Sequence, residues 1–262
     1  MLRLSGLVPR GIDTAPLLAE AKRQLHEEAD YAREAECLTR YAALIGDNPG
    51  FAIPQVVPEL CTPHILAMTH VGGAPIETVA TLPQATRDSV GTRLIDLLLR
   101  ELFVFGWMQT DPNPANYRCD PGADRVVLLD FGATQPIAPP VAALYGTLLT
   151  AARDRDSAGA QAAFEAIGLI DDANTPAHRD ELLALFDLAA TGLLASGPFD
   201  FADNRLLAAL RERGTALAHD RSQWRTPPAE TLFIQRKLGG TYHLCARLKA
   251  RVDLAALGNR RL

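Results

Sequence analysis

Asp111 and Asn116 stand five residues apart (116 − 111) in the run Asp111-Pro112-Asn113-Pro114-Ala115-Asn116. A second aspartate, Asp130, follows 19 residues after the first (130 − 111), in Leu129-Asp130-Phe131-Gly132. These residue types at this spacing suit phosphoryl transfer. That chemistry needs an acceptor for the proton of the attacking hydroxyl and oxygen ligands for the Mg²⁺ that bridges the phosphates. Asp111 is the candidate for the hydroxyl, and Asn116 and Asp130 are the candidates for the metal. Any one of these elements alone is an ordinary turn; the three in this order and at this spacing carry the reading.

The elements around them must be a loop, a strand, a tight turn and a second strand ending at the metal. Met108 to Asn116 is polar and carries Pro112 and Pro114, so it reads as an ordered loop and not as helix interior. Tyr117-Arg118-Cys119 is short and strand-like, Asp120 to Asp124 is turn chemistry, and Val126 to Leu129 is an apolar, partly β-branched run that reads as a buried strand. Gly132 lets the backbone fold sharply after it. Upstream, Thr86 to Phe105 predicts a helix whose Leu94, Ile95, Leu98, Leu102 and Phe105 recur at core spacing, and which delivers the chain through Gly106 to Thr110.

Ala15 to Ile45 reads as one long helix, rich in Ala, Leu, Glu and Arg, with an acidic middle and a stop at Gly46 to Gly50. Phe51 to Leu60 is extended, Ile65 to Thr69 is strand-like, and Val71-Gly72-Gly73-Ala74-Pro75 reads as a flexible hinge. After Gly132 the pattern is helical: Pro140–Ala152, Asp156–Ile167, Arg179–Leu194, Leu206–Leu217 and Thr231–Leu248.

The 262 residues suffice for one large domain or two small lobes, and a net charge of −5 with 6% aromatics argues against a nucleic-acid surface. Cys37, Cys61, Cys119 and Cys245 form no Cys-x-x-Cys pair and read as incidental thiols of a reducing compartment. The apolar stretch from Leu94 to Trp107 is broken by Asp96, Arg100 and Glu101, too interrupted to span a bilayer, and no signal peptide opens the chain. A cytoplasmic location, peripheral at most to an inner membrane, is the expectation.

Further motifs carry a resemblance. Leu25 to Ala35, containing Glu28 and Asp30 as a Glu-x-Asp pair, resembles the signature helix of the UbiB-type atypical kinases, which are tied to coenzyme Q (ubiquinone) biosynthesis. Gln109 to Asn116 is similar to that family's catalytic loop, Leu128 to Thr134 to its metal-binding turn, and Gln235-Arg236-Lys237-Leu238-Gly239-Gly240 to a segment of its mitochondrial-type branch. The resemblance implies an α+β, mostly α fold: a protein-kinase-like C-lobe over 74–262 and a partial N-lobe over 1–73 holding the signature helix and a strand or two. It implies Mg²⁺ and ATP or ADP as ligands, Glu28 pairing with a lysine, and Asp30 completing the signature. The implied activity is that of an ATPase or a small-molecule or lipid kinase supporting ubiquinone biosynthesis, with quinone-biosynthesis proteins or lipid as partners.

Departures qualify that expectation. The family's Lys-x-Gly-Gln extension, alanine-rich nucleotide loop and ATP-contacting lysine have no match here, and the chain holds three lysines, Lys22, Lys237 and Lys249. The expectation is therefore an N-terminally truncated form with impaired catalysis. A non-catalytic scaffold is the alternative, as is a membrane-surface module using Arg236, Lys237, Arg247, Lys249 and Arg251, though a solvated helix face is the favoured reading of that basic run. Aminoglycoside and choline phosphotransferases share the Asp-x-x-x-x-Asn loop and are the alternative enzyme class.

Overall fold

The computed structural model describes residues 30–219, 223 and 228–260. The first described helix, α1 (Tyr31–Ile45), begins later than the long helix expected from Ala15. Asp30 has φ −97° and ψ 87°, outside the helical region, and its carboxylate accepts from the Arg33 amide. It is an N-cap and breaks any continuous helix at that point. The stretch before it, including Glu28, lies outside the described residues. Cys37, Leu38, Tyr41 and Ile45 form the buried stripe of α1, which Gly46 ends in a positive-φ conformation.

A four-stranded sheet follows in the order β1-β5-β4-β2, built from β1 (Phe51–Ala52), β2 (Ala74–Pro75), β4 (Tyr117–Asp120) and β5 (Arg125–Leu128). β4 and β5 are antiparallel across the turn predicted at Asp120 to Asp124, and β1 joins β5 in parallel. The Val71–Pro75 stretch, expected as a flexible hinge, is bonded to β4 at its C-terminal end. Ala74 and Pro75 pair with Cys119 and Arg118. The Gly73 carbonyl accepts from Arg118 Nε at 2.9 Å and from its terminal nitrogen at 2.6 Å. Gly73 itself sits at φ +136°, its Cα facing the Cys119 carbonyl so closely that a Cβ would stand 3.1 Å from that oxygen. Ile65 to Thr69 forms isolated bridges, Thr62 to Ile65 and Val56 to Met68, and no continuous strand.

Helix α2 (Gln84–Arg100) runs on as a π-helical turn, Glu101–Phe105, and stops at Gly106 in the left-handed region. Trp107–Gln109, expected as part of the loop, is instead a strand, β3, antiparallel to β6 (Thr134–Pro136), with Gln109 opposite Thr134. This pairing is what positions the site. It brings the end of the first loop beside the end of the aspartate turn.

The C-terminal half is helical: α3 (Pro139–Asp154), α4 (Ser157–Ile167), α5 (Pro176–Leu193), α6 (Arg205–His219), α7 (Ala229–Leu248) and the short α8 (Leu254–Asn259), with β7 (Phe199–Asp200) paired to β8 (Arg251–Val252). Five of these helices were legible in the pattern, each within a few residues of its ends. α2 packs against α7 and β8, and Gly91 lets them approach: a Cβ there would fall 2.5 Å from Ala250 Cβ. One apolar cluster runs from Cys37 of α1 through Ile76, Leu94, Val126 and Phe131 to Leu257, so packing is continuous across residue 73. Cys37, Cys119 and Cys245 are buried.

Candidate active site

The loop after β3 is ordered by its own residues. The Thr110 amide and hydroxyl both donate to the Ala133 carbonyl, at 3.1 and 2.7 Å, tying the loop to the aspartate turn. Pro114–Asn116 is a 3₁₀ turn capped by Asn113, whose Oδ1 accepts from the Ala115 amide at 3.1 Å. That turn folds Asn116 back on Asp111, and Asn116 Nδ2 donates to Asp111 Oδ2 at 2.9 Å. The Asn116 carbonyl in turn accepts from the Leu129 amide at 3.1 Å, the residue before Asp130. Asp130 Oδ1 accepts from the Gly132 amide at 2.9 Å, which fixes the carboxylate over its turn.

Thus Asp111 is bonded to Asn116, whose backbone is bonded to the residue before Asp130. Asn116 and Asp130 line one small cavity together with Gln109, Tyr117, Phe131 and Lys237. Among the described residues no cluster of three or more His, Cys, Asp or Glu side chains exists to hold a metal by itself. The donors present fit Mg²⁺ better than a caged metal: they are hard oxygens, few in number, and Mg²⁺ is commonly held by one or two protein ligands with substrate phosphates and water supplying the rest.

Helix α1 supports the aspartate turn with two adjacent residues that the spacing argument missed. Arg33 donates to the Gly132 carbonyl at 2.5 Å and to the Thr134 carbonyl at 2.8 Å. Glu34 faces the turn next to Asp130. Burial first, and then the Asp130 charge, raise its carboxyl above the ordinary range against the opposing Phe131 amide and Arg33. Of the two signature residues, Asp30 is exposed and serves as the α1 cap, and Glu28 lies outside the described residues.

A second set of missed residues lies beneath the loop. Glu101, fully buried in the π-helical turn, accepts from the Tyr41 hydroxyl at 2.6 Å and the Gln109 amide at 3.0 Å. Lys237 of α7, 2% exposed, stands 3.4 Å from its other oxygen and donates to Tyr117 Oη at 2.9 Å and Gln109 Oε1 at 3.1 Å. Burial alone would lower the Lys237 amine, but the Glu101 carboxylate and the Tyr117 hydroxyl outweigh it and hold it above its ordinary value. Burial raises the Glu101 carboxyl, with Lys237 and the Tyr41 hydroxyl pulling the other way. The signal for this pair was present in the sequence: an acid inside an apolar helix run, in a chain with three lysines.

Of the basic run near the C-terminus, only Lys237 is buried; Arg236, Arg247, Lys249 and Arg251 are exposed. Arg236 meets Asp111, Arg247 lies 3.8 Å from Glu77, and Arg251 lies 3.0 Å from Asp200. Among the described residues no helix is long and apolar enough to cross a membrane.

Fold and site together define a class: a mostly helical, protein-kinase-like α+β fold with an Asp-Asn loop and an Asp-Phe-Gly turn. The family model for the ABC1 atypical kinase-like domain matches residues 1–164. A rat protein, "Atypical kinase COQ8B, mitochondrial", is 34% identical over 252 residues, covering 96% of this chain and 47% of that protein. The Saccharomyces cerevisiae "Atypical kinase COQ8, mitochondrial" is 34% identical over 261 residues, covering 98% of this chain and 51% of that protein. The solved structure of the Mycobacterium tuberculosis protein Rv3197 with erythromycin superposes with a TM-score of 0.77 at 23% identity, over 97% of this chain and 63% of that one, and shares the fold. The chain belongs to the ABC1 atypical kinase-like family. It spans about half the length of the curated relatives it matches.

Proposed function

We propose that this chain carries the phosphate-side half of a Mg²⁺-nucleotide site performing phosphoryl transfer, as an ATPase or a small-molecule or lipid kinase supporting ubiquinone biosynthesis. The observation that carries the reading is the closed chain of contacts from Asp111 to Asn116 to Leu129, with the Asp130 carboxylate on the next residue. Asp111 would orient the attacking water or hydroxyl, and Asn116 and Asp130 would hold the metal. Mg²⁺, when bound there, would neutralise charge developing on the transferred phosphoryl group. Quinone-pathway proteins are the proposed partners, since the relatives above are named as COQ8 kinases.

One observation favours the scaffold reading instead. Of the lysines in the described residues, Lys237 lines the same cavity as Asp130 but its amine is taken up by Glu101, Tyr117 and Gln109, and Lys249 sits exposed as the cap of α7. Hydrolysis of Mg²⁺-ATP by the chain, beside Asp111→Asn, separates the two. The enzyme reading expects turnover that falls about a hundredfold or more in the variant, the usual loss on removing a positioned acid–base group. Equal turnover in both proteins removes Asp111 from the mechanism, and none in either leaves the scaffold.

A further inference from the structure

Three residues on one face of α7 touch the loop that carries Asp111 or the end of β3 that leads into it, and the phosphoryl-transfer reading uses none of them. Arg236 donates to Asp111 Oδ1 at 2.6 Å. Asn116 already holds Oδ2 at 2.9 Å, so both oxygens of the aspartate are fixed, one from inside the loop and one from 125 residues away (236 − 111). Lys237 holds Gln109, two residues before Asp111. One turn further along, Gly240 approaches Pro112 so closely that a Cβ would lie 2.2 Å from the proline's Cβ and Cγ. A pyrrolidine ring has no rotamer into which it can swing away, so any side chain at 240 must move the loop. Residues 236, 237 and 240 share a helix face, and they meet Asp111, Gln109 at the end of β3, and Pro112.

We propose that the Arg236–Gly240 segment of α7 is a positioning element of the catalytic loop, and that Arg236 is the positioning residue for the Asp111 carboxylate. The proposal rests on Asp111 being the group that meets the acceptor. The ion pair is half-exposed, with 50% of the Arg236 side chain accessible, and pairs of that kind add little to global stability. What it supplies is orientation. Without the guanidinium, Asp111 is held by Asn116 alone, a residue whose proposed role also commits it to the metal. A carboxylate fixed at both oxygens presents one geometry to an incoming hydroxyl, and small errors in that geometry cost rate steeply.

The test is hydrogen exchange by mass spectrometry on the full chain without nucleotide, comparing Arg236→Gln, Arg236→Lys and Gly240→Ala with the unaltered protein. Arg236→Gln should speed exchange over 110–117 about fivefold, the upper range for such a pair, with melting unchanged within about 2 °C. Arg236→Lys should restore part of the protection, and Gly240→Ala should speed the same segment by displacing Pro112. Unchanged exchange over 110–117 in Arg236→Gln, or a faster rate spread equally over α3 to α6, overturns the proposal. Mg²⁺-ATP turnover gives a second readout: kcat should fall in Arg236→Gln with KM for ATP held within about twofold. Unaltered kcat overturns the proposal as well. Absence of turnover in the unaltered chain counts against the nucleotide reading, and the exchange result then decides the positioning role by itself.

Discussion

Lys237→Met should cost this protein more stability than almost any other single change in α7. The substitution keeps the unbranched stem to the ε position and removes the charged amine. Glu101 stays behind, fully buried, with Oε1 still bonded to Tyr41 and the Gln109 amide and Oε2 making no hydrogen bond. The Lys237 amine at 3.4 Å is what balances that oxygen. Removing one partner of a buried pair leaves an uncompensated charge and typically costs 3–5 kcal/mol, about 6–20 °C in melting temperature for a domain of roughly this size. Replacing both partners, as Lys237→Met with Glu101→Gln, leaves a neutral amide that still accepts from Tyr41 and Gln109. The double variant should recover all but about 1–2 kcal/mol. Thermal melts of the four proteins of this cycle measure both quantities. A single variant that melts within about 2 °C of the unaltered chain, or a double variant no better than the single, refutes the account of the pair.

The same network fixes an alkaline limit. Lys237 has its folded value raised by Glu101 and Tyr117 over an opposing burial effect, and burial raises Tyr41 and Tyr117. For each group the proton is held more tightly in the folded state, so its stabilisation is complete below the unfolded values near 10 and is lost as pH rises from there through the higher folded values. Chemical denaturation at pH 8, 9.5 and 10.5 should show a drop confined to the last step, and the Lys237→Met/Glu101→Gln protein should show a smaller one. Gly91→Ala forces a methyl against Ala250 Cβ at 2.5 Å, which has no rotamer to yield, and Val252 Cγ2 at 3.2 Å on a buried side chain. It should cost about 1–3 kcal/mol, read as a lower denaturation midpoint at constant slope.

The parts of this molecule that were legible in advance are those written locally. The loop from Asp111 to Asn116 announces itself through two prolines and a capping asparagine within six residues, and the turn at Asp130 through the apolar strand before it and the glycine after it. The helices announced themselves by period. What was not legible depends on distant partners. β3 and β6 are three residues each, too short for any alternation to register, yet their pairing aligns the site. Arg236 and Lys237 read as surface charge because their acids, Asp111 and Glu101, lie 125 (236 − 111) and 136 (237 − 101) positions away. Glu34 was hidden among the acids of α1, where only the position of the turn below it distinguishes it from its neighbours. The Gly72-Gly73 pair read as flexibility, whereas Gly73 serves a close approach of two backbones.

The most direct test of the central claim, that Asn116 and Asp130 hold a metal-bound nucleotide phosphate, is calorimetric titration of ADP into this chain and into Asp130→Asn, each with and without Mg²⁺. The account predicts Mg²⁺-dependent binding to the unaltered chain that weakens by roughly 1.4 kcal/mol or more, tenfold in Kd, in the variant. Equal affinity in the two proteins, or binding to both that ignores Mg²⁺, contradicts it.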